Sequence, residues 1–170
     1  MQKDCKNKVV PYYKTFVAVG NCKQHFLRLL NMVMKCANIL PQPILIQAGH
    51  TPFSHEKCDV IDFINMDVFI HHVEQSEILI FHGGAGSTMQ AINTGKCPIL
   101  VPRKKQFNEH VNDHQASFAT MLHKEGKIMM AEDETSLKKA INEVLSQKFI
   151  NTKGDISYSL QMIKQLLQQI

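Results

Sequence analysis

Long hydrophobic runs are missing from this sequence. Its longest apolar stretches, residues 78–81 and 98–102, are far shorter than the roughly 20 residues that a membrane-spanning helix needs. The N-terminus also lacks the basic and then apolar pattern of a secretion signal. We therefore expect a soluble, cytoplasmic protein.

The sequence carries neither a metal-site pattern nor a nucleic-acid-binding pattern. Its five cysteines are widely separated and form no Cys-x-x-Cys pair. His110 and His114 stand four residues apart, but no third ligand accompanies them, so we predict no bound metal. The net charge of +4 is modest and the basic residues form no helical stripe with aromatics, which argues against nucleic acid as a partner.

Residues 15–150 have the element order of one α/β domain. Apolar runs of strand length alternate with segments whose apolar residues recur at helical spacing, and 44% hydrophobic residues suffice for one substantial core. Strands are predicted at residues 15–19, 44–46, 60–63, 78–81, 98–101 and 127–130. Helices are predicted near residues 26–37, 66–75, 89–94, 116–122 and 133–146. This alternation predicts a doubly wound, Rossmann-like parallel sheet.

The two ends of the chain are set apart from this domain. Residues 1–14 carry lysines around Pro11 with little apolar pattern, and we expect a poorly ordered arm there. After a polar linker, residues 155–170 are expected to form a Gln-rich amphipathic helix whose apolar residues share one face. That face packs against either the domain or a partner, and the sequence leaves both alternatives open.

A glycine-rich segment, residues 82–88, directly follows the predicted strand at residues 78–81 and opens a helix. In a doubly wound sheet, ligands bind beyond the carboxyl ends of the strands, where helix N-termini offer free N–H groups. Glycines let the backbone approach an anion, while hydroxyls and an imidazole add hydrogen-bond donors. The segment predicts a diphosphate-binding turn, and the alternative is that its glycines only permit a tight strand-to-helix turn.

Three enzyme classes that use glycine-rich loops do not fit this segment. It has neither the P-loop order G-x-x-x-x-G-K-[ST] nor the third glycine of G-x-G-x-x-G, since Met89 stands in that place. The His-Gly-Gly start is similar to the oxyanion-hole loop of lipases, but the chain contains no G-x-S-x-G motif for a nucleophile. A nucleoside triphosphatase, an NAD enzyme and a serine hydrolase are therefore disfavoured.

The glycine-rich turn is part of a longer stretch that carries a family resemblance. Residues 78–115 read ILIFHGGAGSTMQAINTGKCPILVPRKKQFNEHVNDHQ, and FVAVG and FLRLL occur at residues 16–20 and 26–30. Together these segments resemble the C-terminal domain of family 28 glycosyltransferases, over roughly residues 15–148. They are most similar to small stand-alone subunits of this family, of the bacterial capsular or exopolysaccharide type and of the eukaryotic type that transfers N-acetylglucosamine to a dolichol-linked oligosaccharide.

The resemblance implies a UDP-sugar donor at the carboxyl edge of the sheet, with no separate cofactor. The residues that would surround the donor diphosphate are His82, Gly83, Gly84, Gly86, Ser87 and Thr88. Gly20 would approach the ligand from the first strand. His114 and Gln115 take the place of the pair that contacts the donor sugar. The predicted catalytic residues are His82, beside the diphosphate, and His114, beside the sugar.

Gln90 and Arg103 complete the predicted donor site. Relatives usually have Glu at the position of Gln90, where it accepts hydrogen bonds from the ribose hydroxyls. Gln keeps one acceptor oxygen but loses the charge, which bears on donor affinity and nucleotide choice. Arg103 follows the strand at residues 98–101, where a cation would meet phosphate or a lipid headgroup, and a solvated basic loop is the alternative.

The resemblance also implies the C-terminal half of a GT-B glycosyltransferase. It would transfer N-acetylglucosamine, glucose or galactose to a lipid-linked acceptor in polysaccharide or oligosaccharide biosynthesis. The general base and acceptor site of such an enzyme lie in the opposite domain, which we expect from a membrane-associated partner subunit. The alternatives are a non-catalytic donor-binding or scaffold module, with Gln90 marking a decayed site, and a two-domain UDP-N-acetylglucosamine 2-epimerase, which the length disfavours.

Overall fold

The computed structural model describes residues 10–146, which form a parallel β-sheet with helices on both faces. The strands are β1 (Thr15–Ala18), β2 (Ile44–Gln47), β3 (Asp59–Ile61), β4 (Ile78–Phe81), β5 (Ile99–Leu100) and β6 (Met129–Met130). The helices are α1 (Leu27–Lys35), α2 (Met66–Gln75), α3 (Ala85–Asn93), α4 (His114–Lys124) and α5 (Glu134–Leu145), with a 3-10 turn at Lys105–Phe107. Within this part of the chain, no helix has both the length and the apolar character that crossing a membrane requires.

The strand order is β3-β2-β1-β4-β5-β6, and every pair of neighbours is parallel. This is the doubly wound, Rossmann-like order, which confirms the fold class predicted from the sequence. The order reverses between β1 and β4, so the chain leaves these neighbouring strands toward opposite faces of the sheet. A crevice opens beyond their carboxyl ends, where Ala18 pairs with Phe81.

Two hydrophobic layers, one on each face of the sheet, hold the helices in place. Successive residues of β1 point to opposite faces, so Val17 packs in the layer that contains α1 and α5, and Phe16 packs in the layer that contains α2 and α4. Every residue of β1, β2 and β4 is buried, as expected for central strands that are covered on both faces.

Two elements differ from their predicted positions in ways that concern the crevice. The predicted strand at residues 60–63 is shifted to β3, because β3 pairs with β2 only as far as Gln47 opposite Ile61. Helix α3 begins at Ala85, inside the predicted diphosphate turn, because Gly84 has the extended backbone of an N-cap and the residues after it are helical. Residues 85–88 of the glycine-rich segment are therefore the first turn of a helix.

The predictions for the two ends of the chain fall largely outside the described residues, at 1–9 and 147–170. The last residues of the predicted arm lie against the sheet. The Tyr13 hydroxyl donates a hydrogen bond to Asp59 at 2.7 Å, and the Lys14 N–H donates to the Pro43 carbonyl at 3.0 Å. The folded domain therefore begins slightly before the predicted boundary at residue 15.

Candidate functional site

A cleft of about 350 Å³ opens beyond the carboxyl ends of β1 and β4, where the strand order reverses. One wall is polar and is formed by the ends of β1, β2 and β4 and the first turns of α3. The other wall comes from the start of α2 and is apolar, with Ile64, Met66 and Phe69. This is the place at which doubly wound sheets bind ligands.

The structure brings six of the eleven predicted site residues together in this cleft. They are Gly20, His82, Gly84, Gly86, Ser87 and Gln90. The other five predicted residues are not among those that line it: Gly83, Thr88, Arg103, His114 and Gln115. Most of the glycine-rich segment therefore converges on one cavity together with Gly20, whereas the three residues predicted from the segment after β5 do not line it.

His82 lies at the end of β4 with its ring held between two glycines. A Cβ atom at either Gly20 or Gly84 would overlap the ring, so both positions require glycine. Nδ1 of the ring is 3.2 Å from the carbonyl oxygen of Ala18. Burial, followed by the positive charge of Arg103, lowers the pKa of His82 from 6.5 to about 4. The imidazole is therefore neutral at neutral pH.

The lowered pKa of His82 makes folding stability depend on pH. Because the folded protein disfavours the imidazolium, this contribution to stability is present above about pH 6.5 and is lost as the pH falls toward 4. Burial lowers the pKa of His72, which packs against Phe16, and adds to the effect in the same direction. We expect the free energy of unfolding to decrease by about 3 kcal/mol across this range in urea denaturation.

A His82→Gln variant tests this origin of the pH dependence, because its amide can still donate to the carbonyl of Ala18. Its free energy of unfolding should change less with pH than that of the wild type over the same range. An unchanged slope would assign the acid sensitivity to other groups.

The first turn of α3 presents backbone N–H groups to the cleft. Gly84 is the N-cap, and the hydroxyls of Ser87 and Thr88 both donate to its carbonyl, at 3.1 and 2.7 Å. The N–H groups of Ala85 and Gly86 belong to the first turn, whose amides have no acceptor within the helix. The turn contains no acidic residue, so the positive end of the helix dipole is uncompensated there. The arrangement suits an anion, although Thr88 is buried and contributes only through its bond to Gly84.

Arg103 does not face the cleft, contrary to the expectation that it meets phosphate. Its side chain is 0% exposed and packs over the ring of Phe26, with the guanidinium carbon 4.6 Å from the ring centroid. The guanidinium donates to the backbone carbonyls of Val19, Gln24 and Glu109 at 2.8 to 2.9 Å. We infer that Arg103 holds the loop after β1 and the segment after β5 together beneath the cleft.

An ion pair that the sequence analysis missed, between Arg28 and Glu109, anchors the segment between β5 and α4. The Arg28 guanidinium donates to both carboxylate oxygens of Glu109 at 2.9 Å and to the carbonyl of Pro102 at 2.8 Å. Glu109 is 4% exposed and also accepts from the N–H of Lys104 at 3.0 Å. The sequence feature that could have predicted this contact is Arg28, the charged residue inside the apolar segment FLRLL. The pair holds residues 102–109 against α1.

His114 and Gln115 begin α4 and do not line the cleft. The His114 side chain is exposed, and the Gln115 side chain accepts a hydrogen bond from the Arg103 N–H at 3.3 Å. Gly83 has a φ angle of +86° and packs against Gln115 and Pro102, so it lets the chain turn close to α4. Contact of His114 and Gln115 with a donor sugar stays a prediction.

Gln47 is a further residue of the cleft that the sequence analysis missed. Its amide oxygen accepts from the Gly20 N–H at 3.1 Å, and its amide nitrogen donates to the carbonyls of Gly20 at 3.3 Å and Asp62 at 2.8 Å. Gln47 is 3% exposed and joins the loop after β1 to the end of β3. A polar residue at the end of the buried strand ILIQ was the signal that could have found it.

Proteins of known family resemble this chain in sequence. Residues 15–169 match the profile of the family described as the Glycosyltransferase family 28 C-terminal domain. The UDP-N-acetylglucosamine transferase subunit ALG13 of Mus musculus is 27% identical over 124 residues, which cover 68% of this chain and 10% of that protein. The chain therefore spans about a tenth of the length of this relative. These matches confirm the resemblance identified in the sequence.

Solved glycosyltransferase structures share the fold. The glycotransferase of kitacinnamycin has a TM-score of 0.59 at 16% identity, covering 99% of this chain and 42% of that one. Os79 from O. sativa, in complex with U2F and trichothecene, has a TM-score of 0.62 at 14% identity, covering 84% of this chain and 36% of that one. The sheet is thus that of one half of a GT-B glycosyltransferase, as the sequence predicted.

Proposed function

Because this chain belongs to the glycosyltransferase family 28 C-terminal domain family, we propose that its cleft binds a UDP-sugar and that it is the donor-binding half of a two-component glycosyltransferase. One observation carries the proposal. The start of α3, with Gly84, Gly86 and Ser87, lines a cleft at the switch point of the sheet, beside His82. The free N–H groups of a helix N-terminus suit the negative charge of a diphosphate.

The two walls of the cleft fit the two ends of a nucleoside diphosphate. A diphosphate at the N-terminus of α3 would leave its nucleoside facing the apolar side chains of Ile64, Met66 and Phe69. Gln90 lies on the same helix and also lines the cleft. Its amide oxygen can accept one hydrogen bond from a ribose hydroxyl, in place of the carboxylate usual in relatives. We propose that this contact orients the ribose without adding charge.

The proposed chemistry is stabilisation of the leaving group. When the bond between the anomeric carbon and the donor diphosphate breaks, negative charge grows on the departing UDP. The N–H groups at the start of α3 are fixed before the reaction, so they stabilise this charge without reorganisation. Ser87 can add its hydroxyl by turning away from the Gly84 carbonyl. The acceptor hydroxyl and the base that deprotonates it would come from outside this chain.

We propose that a membrane-associated subunit supplies the acceptor-binding half and that the acceptor is lipid-linked. A GT-B enzyme places its acceptor in the opposite domain, which a partner subunit would supply here. The mouse relative is a subunit of a UDP-N-acetylglucosamine transferase. We therefore place N-acetylglucosamine first among the sugars, before glucose and galactose, and expect the complex at the cytoplasmic face of a membrane.

Calorimetric titration of the full chain with UDP-N-acetylglucosamine and UDP-glucose tests the proposal. We expect a dissociation constant between about 1 μM and 1 mM, equivalent to about 4 to 8 kcal/mol of binding free energy. A variant with both His82→Ala and Ser87→Ala should bind at least about tenfold more weakly, because it loses two groups of the polar wall.

ADP-glucose serves as the matched control ligand, because it keeps the diphosphate and changes the base. Weaker binding of ADP-glucose would show that the nucleoside is recognised as well as the phosphates. If the folded chain binds no UDP compound, the donor-site proposal is wrong and a scaffold module of the same fold is favoured.

A further inference from the structure

The ring of His82 is held in one orientation by its neighbours. Nδ1 lies 3.2 Å from the carbonyl oxygen of Ala18, and a carbonyl can only accept a hydrogen bond. In the neutral ring the single proton is therefore on Nδ1, and Nε2 carries a lone pair. The Nε2 edge lies directly against Gly84, at the N-cap of α3 and within the lining of the cleft.

This tautomer conflicts with a diphosphate in the cleft. The oxygens of a doubly esterified diphosphate accept hydrogen bonds and donate none, so a neutral His82 would face them with a second acceptor. The glycines on either side confine the ring. It cannot turn over to point its other nitrogen toward Ala18 without losing the bond that Nδ1 makes there. We propose that the donor binds with uptake of one proton at Nε2 of His82, so that the imidazolium forms only in the donor complex.

The charges around His82 agree with this coupling. Among the described residues, the groups whose charge acts on His82 are Arg103 and His110, and both disfavour the imidazolium while the cleft is empty. The residues that line the cleft include no Asp or Glu to offset them. The first turn of α3 adds the positive end of a helix dipole and also contains no acidic residue. Negative charge sufficient to hold the proton thus arrives with the diphosphate.

The coupling of proton uptake to donor binding rests on the proposed function, because it requires a UDP-sugar in the cleft. The free cleft holds a neutral imidazole in a site that is already positive, which limits repulsion in the empty protein. The bound donor would convert the same side chain into a charge-assisted hydrogen-bond donor beside the leaving diphosphate. His82 would therefore act on the leaving group as an imidazolium, although it is neutral in the free protein.

Calorimetry of the full chain with UDP-N-acetylglucosamine tests the coupling. This ligand is chosen over UDP because its diphosphate is esterified at both ends and has no proton that titrates near neutral pH. Titrations at neutral pH in buffers of different ionisation enthalpy give the number of protons taken up. We expect about one proton per donor, and a dissociation constant that increases by up to about tenfold per pH unit in that range.

Two histidine variants identify the group that takes up the proton. His82→Gln should bind donor with no proton uptake, because its amide donates hydrogen bonds without titrating. His25→Gln, at an exposed position in the loop after β1, should keep the full uptake. Donor binding without uptake in the wild type, or with uptake retained in His82→Gln, would overturn the coupling. A chain that binds no UDP-sugar would instead overturn the proposed function, so the two failures are distinguishable.

Discussion

An Arg103→Met variant is expected to lose about 4 kcal/mol of unfolding free energy, measured by urea denaturation of the full chain. Methionine replaces most of the side-chain volume but removes the guanidinium, which donates to the carbonyls of Val19, Gln24 and Glu109. Each buried carbonyl that is left without a donor costs about 1–3 kcal/mol. The three carbonyls belong to two separate loops, so we also expect the segment after β5 to lose its fixed position.

Lys105→Met is the matched control, because Lys105 is exposed in the same segment. It should change the free energy of unfolding by no more than about 0.5 kcal/mol. Arg103→Lys should remain destabilised, since an ammonium group cannot reach three carbonyls in the geometry of a guanidinium. An Arg103→Met protein that is as stable as the wild type but does not bind donor would reverse the assignment and support the phosphate contact predicted from the sequence.

Gly86→Ala is expected to weaken the binding of UDP-N-acetylglucosamine by at least about tenfold while leaving the protein as stable as the wild type. Gly86 lines the cleft, and a Cβ built on it meets no protein atom within 4 Å. The added methyl group therefore projects into the space that the diphosphate would occupy. Alanine also suits a helical position better than glycine, so folding should not suffer. Calorimetry and urea denaturation measure the two effects separately.

Gly84→Ala provides the contrast two residues earlier in the same turn. There the new Cβ would overlap the ring of His82, which Gly20 confines on the other side. We expect this variant to lose both donor binding and about 2 kcal/mol of unfolding free energy, as typical for overpacking a confined site. If Gly86→Ala binds the donor as well as the wild type, the diphosphate does not approach the first turn of α3 and the placement of the donor is wrong.

The parts of the site that lie close together along the chain could be predicted from the sequence. Residues 82–88 follow a buried apolar run, and the position of such a turn at the carboxyl edge follows from the alternation of strands and helices. His82, Gly84 and Gly86 need only this local order to reach the cleft. Gly20 was also found, through the family resemblance, and the structure shows that β1 ends beside β4.

The roles of the charged and amide side chains could not be predicted in the same way. Arg103 and Gln115 occur in the matching stretch, yet Arg103 points beneath the cleft and Gln115 accepts a hydrogen bond from its N–H. In the sequence, Gln47 is only the last residue of a predicted strand. The structure shows that its amide bridges two loops. Each of these roles depends on partners that are distant along the chain.

The order of apolar and glycine residues was sufficient to predict a doubly wound parallel sheet and a glycine-rich turn between a buried strand and a helix, because strand and helix periodicity and the need of a tight turn for glycine act over a few neighbouring residues. Which polar groups face the ligand was decided by packing between distant segments. A buried guanidinium must find acceptors wherever the fold brings carbonyls together, and for Arg103 these are on the loop after β1 and near Glu109. Arg103, which the sequence predicted as a phosphate ligand, therefore joins the loop after β1 to the segment after β5 instead.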